Sequence, residues 1–312
     1  MEKPFKTHEE LINLLISRGI DISTADSKSF AKKKLQRTGY YNLINGYSHL
    51  FVEKGKTDVY IKGTTIEEIY SLYIFDKKLR EIFLHYILQI ETNIKSLIAY
   101  YFPMNHPEAN YLVFTNFDSS KKNSNKYITE LISEIQRQIA GRSSDPSISH
   151  YLTKYGYVPL WVLNNILTFG TISKMYSLML QKERQEISKT FRMTDNELES
   201  ALFYISSIRN FCAHGNRLYC FRSKRPLTDM DIHNSLNIPK SDTTEYLYGK
   251  RDLFAAMIVF KRLLSRGEFN HLVSEVNKII KQLESNLNVL PISIVLEYMG
   301  FPNNWKSILL KK

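Results

Sequence analysis

"TIEEIYSLYIFDKKLREIFLHYILQIETNIKSLIAYYF", Thr65 to Phe102, is the longest uninterrupted helical pattern in the chain. It holds neither glycine nor proline, and its apolar residues recur at the three- and four-residue spacing of a helix face. Pro103 is expected to stop it. The stretch reads as one long helix, or as two joined by a kink near Asp76. A chain built round such a rod is mainly helical.

The flanking segments agree. "THEELINLLISRG" (Thr7–Gly19) opens with a capping box, Thr7 and Glu10, and stops at its glycine. "SKSFAKKKLQRTG" (Ser27–Gly39) predicts a second short helix, followed by the aromatic "YYNLINGYSHLF" (Tyr40–Phe51), broken at Gly46. "DVYIKGTT" (Asp58–Thr65) reads as a short strand or an extended link. Residues 103–124 are polar and read as a loop, "KYITELISEIQRQIAG" (Lys126–Gly141) as a helix, and "RSSDPSIS" (Arg142–Ser149) as another loop. "PLWVLNNILTFGTISKMYSLML" (Pro159–Leu180) reads as helical, with Gly170 its weak point. A further capping box, Thr194 and Glu197, starts "DNELESALFYISSIRNFCAHGNRLY" (Asp195–Tyr219). Residues 221–249 read as an irregular polar insert, and two helices follow from about Leu253 and Phe269. There is no internal repeat, and strand signals are few. The fold class is therefore all-α.

Composition narrows the function. The 312 residues carry 42 basic and 31 acidic side chains, a formal net charge of +11. Such an excess favours a polyanionic partner, nucleic acid or an anionic membrane face. Cys212 and Cys220 are the only cysteines, so there is no disulfide framework and no structural-zinc spacing. No run reaches the ~18 uninterrupted apolar residues of a membrane span, and the charged N-terminus lacks a signal-peptide core. The chain reads as cytoplasmic.

Polar chemistry concentrates in "SSIRNFCAHGNRLY" (Ser206–Tyr219). Wound as a helix, Leu198, Ala201, Ile205, Ile208 and Cys212 share one apolar face. Asn210, His214 and Arg217 fall within about 60° of each other on a different face. Arg209 sits at the edge of the apolar face, where a half-buried guanidinium needs a carboxylate; Glu91 is a candidate. Gly215 disfavours helix by about 1 kcal/mol, so the helix is expected to end there with His214 in its last turn. These groups suit RNA cleavage. The ribose 2′-OH is an internal nucleophile, a histidine moves a proton, and an arginine fork binds phosphate oxygens. The same segment also reads as a capped helix end whose His and Asn satisfy backbone. The R-x4-H spacing alone says little, because Arg80/His85 and Arg266/His271 share it. Residues placed for RNA are Arg217 and Asn216 in the segment, the basic Arg222, Lys224 and Arg225 just after it, and Lys32, Lys33 and Lys34. The basic run Ala31–Arg37 that holds these lysines precedes the aromatic run Tyr40–Tyr47; basic side chains beside stackable rings suit single-stranded RNA, or the run is a solvated helix face next to a core aromatic cluster.

Four blocks carry a resemblance: Gly39–Phe51, Ile69–Phe102, Ile208–Tyr219 and Met299–Leu309. In order and spacing the chain resembles the Abi family, the AbiD/AbiF-type abortive-infection proteins of bacteria. That family is similar to the HEPN superfamily of helical RNases. The resemblance implies a HEPN-like bundle over residues 64–312, with inserts at about 103–155 and 221–249, preceded by a helical region over 1–63. It implies Arg209, Asn210 and His214 as the catalytic set, with Arg80 in a family block as a structural partner, and needs no metal or cofactor. It also implies a homodimer in which two motifs form one site, a role in phage defence, and a structured noncoding RNA that restrains the toxin. Two other readings stand beside the nuclease: a non-catalytic protein that grips a regulatory or guide RNA, and an adaptor with a protein partner.

Overall fold

Apolar side chains along the Thr65–Phe102 stretch recur so regularly that a single helix buries them all. Ile69, Leu72, Leu79, Phe83, Ile87, Ile90, Ile94, Ile98 and Phe102 lie on its inner side, each 2% exposed or less. In the computed structural model, which describes residues 4–310, this is one continuous helix of 40 residues, α3 (Ile66–Asn105). Thr65 and Glu68 form its capping box, and Glu68 also accepts the Asn288 and Val289 N–H groups, at 2.5 and 2.9 Å. The helix runs past Pro103 to Asn105. A proline in the final turn forfeits one backbone hydrogen bond, and the chain then leaves the helix at His106.

Before α3 come α1 (His8–Ser17), α2 (Ala25–Thr38) and a short π-turn at Tyr41–Asn45. After it come α4 (Ser124–Gly141), α5 (Pro146–Tyr155), α6 (Leu160–Leu163), α7 (Phe169–Leu178), α8 (Gln181–Lys189) and α9 (Asp195–Ala213). The chain continues through α10 (Asp231–Ser235), α11 (Leu253–Leu263), α12 (Arg266–Glu284) and α13 (Ile292–Tyr298). About 65% is helical, as the periodicity predicts. Among the described residues pairing is limited to isolated bridges such as Val52–Tyr60 and Asp21–Thr65, so Asp58–Thr65 is an extended link. α3 is the spine, with α12, α9, α8, α6 and α2 packed along it.

Three local expectations change, and α8 has no counterpart in the sequence reading. "RSSDPSIS" starts α5: Asp145 accepts the Ser147 and Ile148 N–H groups, and Pro146 takes the first turn, where its missing donor costs nothing. In Pro159–Leu180 the break falls at Asn164–Thr168 rather than at Gly170, because Asn164 donates to the Lys95 carbonyl (2.6 Å) and Thr168 caps α7. α8 has no apolar stripe to announce it. It is fixed by buried Arg184, which pairs with Asp195 (3.2 Å) and Glu199 (3.0 Å). Residues 221–249 are less polar in space than in sequence, burying Leu227, Met230, Ile232, Leu236 and Tyr246.

The C-terminal block is held by one close approach. Gly300 has φ +74°, and a Cβ there would overlap the Asp252 side chain. Asp252 caps α11 by accepting the Ala255 N–H (3.1 Å) and also accepts that of Gly249. Gly300→Ala is expected to lower stability by about 2–3 kcal/mol, from left-handed strain plus a lost cap. Gly215→Ala, with φ +68° but open space around it, should cost about 1 kcal/mol. Urea denaturation of the two variants checks the difference.

Candidate functional site

α9 delivers the Ile208–Tyr219 segment. Its core face is the expected one: Leu198, Ala201, Ile205 and Ile208 are fully buried and Cys212 nearly so. The helix stops for a backbone reason. Gly215 takes the left-handed conformation, φ +68°, which a residue without Cβ adopts freely. Its N–H donates to the Cys212 carbonyl (3.1 Å) and that of Asn216 to the Phe211 carbonyl (3.2 Å). This two-bond closure is a Schellman motif, and it leaves His214 exposed as the C-cap residue.

The same reversal separates residues that a longer helix would align. Arg217 leaves the helix face shared by Asn210 and His214 and donates to the Asn45 and Gly46 carbonyls, at 3.2 and 3.1 Å. Asn210 lines a hollow of about 530 Å³ with Lys121, Lys122 and Arg225. His214 lines a separate pocket of about 650 Å³. Arg209 faces α3, where its Nε lies 3.7 Å from Glu91 Oε2. That is the expected carboxylate, at charge-pair rather than hydrogen-bond distance. The other Glu91 oxygen takes Lys95 Nζ at 2.8 Å.

The His214 pocket is built on a buried carboxylate. Asp76, fully buried, accepts the Tyr47 hydroxyl (2.7 Å), the Tyr219 N–H (2.7 Å) and the Arg80 guanidinium. Burial pushes the carboxyl up, and Arg80 and the two other donors pull against that. Arg80 also donates to the Asn216 carbonyl (3.1 Å). Tyr47 stacks on Tyr219, ring centres 5.6 Å apart. Arg80 thus links Asp76 to the Asn216 carbonyl of the motif segment.

Charge distinguishes this pocket. A hollow of about 910 Å³ along α4 and α7 sets Glu130 and Glu134 against Lys126 and Arg137. Another, of about 670 Å³ between α3 and α12, holds Glu81 and Glu275 beside His85 and His271. The His214 pocket has Arg37, Arg80 and Arg217 in its lining and no carboxylate. His85 thus lies away from the pocket that Arg80 lines.

The remaining basic residues divide. Lys32 pairs with Glu9 (3.2 Å), Lys33 is exposed, and Lys34 lies over the Tyr70 and Phe30 rings, at 4.1 and 4.9 Å. None of the three lines the pocket; Arg37, one turn on, does. Arg222 donates to its neighbour's carbonyl, Phe221 O (2.9 Å), and Lys224 is exposed. Arg225 lies over the Phe203 ring (4.7 Å) and lines the Asn210 hollow. The sequence placed Arg37 in the basic run and Tyr41 in the aromatic run read as suited to single-stranded RNA, but not their meeting with His214 in one pocket. The signal was their position at the junction of the basic run and the aromatic run, one turn beyond the lysines. Among the described residues no three His, Cys, Asp or Glu side chains form a metal-binding group.

A family model described as Abi-like protein matches residues 33–220. The chain belongs to the Abi-like protein family, that of the abortive-infection proteins of phage defence. The matched span contains α3, α9, Asp76 and every residue lining the His214 pocket. No curated protein and no solved structure matches the chain.

In this Abi-like chain Cys212, two residues before His214, is no nucleophile. Burial pushes its thiol up to about 12, and the thiolate is the reactive form. Cys212 is expected to resist alkylation at pH 8 until the protein is unfolded, checked by mass spectrometry of iodoacetamide adducts. The Asp76 network gives a second expectation. Asp76→Ala strands a half-buried Arg80 and should cost about 3 kcal/mol. Asp76→Ala/Arg80→Met should cost less than the sum of the two single changes, measured by a double-mutant denaturation cycle.

Proposed function

We propose that the chain is an abortive-infection effector of the AbiD/AbiF kind, acting as a HEPN-type endoribonuclease. The observation that carries this reading is His214. It stands exposed at a glycine-terminated helix end and opens on a pocket lined by three arginines without a carboxylate. Arginine forks bind phosphate oxygens, and a histidine at their edge can move the proton of a 2′-OH.

The reaction needs no external nucleophile. The ribose 2′-oxygen attacks the adjacent phosphorus as its proton leaves to a base. The bond from phosphorus to the 5′-oxygen breaks, and that oxygen takes a proton. The products carry a 2′,3′-cyclic phosphate and a 5′-OH. His214 serves one of the two proton transfers. Arg209, whose Nε faces Glu91, stabilises charge on the phosphorane, and Asn210 orients phosphate. As the likeness to HEPN enzymes implies, a second copy of the chain supplies the complementary transfer, and the active form is a homodimer.

A second reading, an RNA-binding protein without catalysis, is favoured by the engagement of Arg209 with Glu91 and of Arg217 with two carbonyls. Both arginines then serve the fold. One experiment divides the readings: expression of wild type and His214→Ala in bacteria under phage challenge, with sequencing of RNAs bearing 5′-OH ends. The nuclease produces new 5′-OH ends and growth arrest in wild type alone, with cleavage reduced at least about 100-fold in the variant. The absence of new ends from both proteins overturns it.

A further inference from the structure

The pocket at His214 has a wall that the cleavage reaction does not use. Tyr41, first residue of the π-turn after α2, is 76% exposed, although it lies between the buried Leu35 and Leu43 in sequence. Its ring packs into no core, and its hydroxyl has no hydrogen-bond partner among the described residues. Arg37, one turn earlier on α2, is exposed and has no ion-pair partner among the described residues. Both line the pocket of about 650 Å³ that holds His214, Asn216 and Arg217. Of the neighbouring basic residues, Lys32 is paired with Glu9, Lys34 lies over two rings and Arg80 is paired with Asp76, while the exposed Lys33 does not line the pocket. An exposed ring and an uncommitted guanidinium on one rim thus face a histidine and an asparagine on the other.

That combination has a definite ligand chemistry. An aromatic face takes the flat side of a base, worth about 1–3 kcal/mol per stacked base. A guanidinium with free donors takes a phosphate. We infer that Arg37 and Tyr41 form a nucleotide subsite: Tyr41 stacks one base of the RNA, and Arg37 binds a phosphate beside it. The subsite holds the strand against the His214 wall, and the inference rests on the nuclease reading only in taking that wall as the place of cleavage. A base inside a duplex has both faces covered, so the subsite accepts an unstacked nucleotide and excludes a paired one. Selection of the RNA then lies with the helix α2 and π-turn segment rather than with α9.

The test is fluorescence anisotropy of the full-length protein with a labelled ten-nucleotide RNA carrying 2′-fluoro riboses, which lack the attacking hydroxyl. The probe is offered single-stranded and annealed to its complement. Tyr41→Ala is expected to weaken single-strand binding about tenfold and to leave duplex binding unchanged, while Tyr41→Phe retains wild-type affinity. Arg37→Ala is expected to weaken binding and lower the salt slope by about 1. The exposure of both residues keeps the fold out of question, and a melting curve at the wild-type temperature checks it. Wild-type affinity in Tyr41→Ala, or an equal loss for both probes, overturns the subsite. So does tight binding of adenosine monophosphate alone, which would make the pocket a small-nucleotide site. The two proposals fail separately. If wild type makes 5′-OH ends and Tyr41→Ala binds normally, the subsite is wrong and the nuclease stands. If Tyr41→Ala loses single-strand binding and wild type makes no ends, the subsite stands in a binding protein.

Discussion

A carboxylate with no access to water is tolerated only when donors replace its hydration, and Asp76 has three segments of the chain within its reach. The Tyr47 hydroxyl comes from the region before α3, Arg80 from α3 itself, and the Tyr219 N–H from beyond α9. Arg80 then extends the set to the Asn216 carbonyl. The walls of the His214 pocket are these same segments. Each donor is worth little alone in water, but in a low-dielectric interior a missing one leaves a charge uncompensated. The pocket is therefore assembled all at once or not at all, and its position is fixed by an interaction that itself never meets a ligand.

Electrostatics then separates this surface from the rest of the molecule. The net charge of +11 describes the whole chain and says nothing about where the excess resides. Some surface lysines and arginines have acidic partners, as in the pairs Lys121–Glu199, Lys174–Glu130 and Arg18–Asp58. The lining of the His214 pocket holds no carboxylate; Asp76, buried, pairs with Arg80. An approaching polyanion therefore meets the arginines Arg37 and Arg217 there without acids among them, an arrangement that raises both encounter rate and local affinity.

The features legible in the sequence were those encoded by local spacing. Capping boxes at Thr7 and Thr194, the apolar stripe of α3 and the core face of α9 each involve residues within a turn or two. The Arg209–Glu91 contact was legible too, because a half-buried arginine demands an acid and the long helix offered one. What stayed hidden depended on distant partners. α8 lacks an apolar stripe because its buried face is made by Arg184 and its acids. Arg217 left the motif face because a single left-handed glycine redirected the chain toward Asn45 and Gly46. Arg37 and Tyr41 gain meaning only when the segment after α2 is laid against the end of α9.

α3 and α9 run antiparallel, since Glu91 meets Arg209 while Arg80 meets the Asn216 carbonyl. Eleven residues of unbroken helix separate the two anchor points on α3, a span of about 16 Å. That interval works as a gauge block. Substitutions between Arg80 and Glu91 change its surface but keep its length and phase. One added or deleted residue shifts the far anchor by about 1.5 Å and turns it by about 100°, so Glu91 and Arg80 could no longer meet their partners together. This stretch of helix is held to its count.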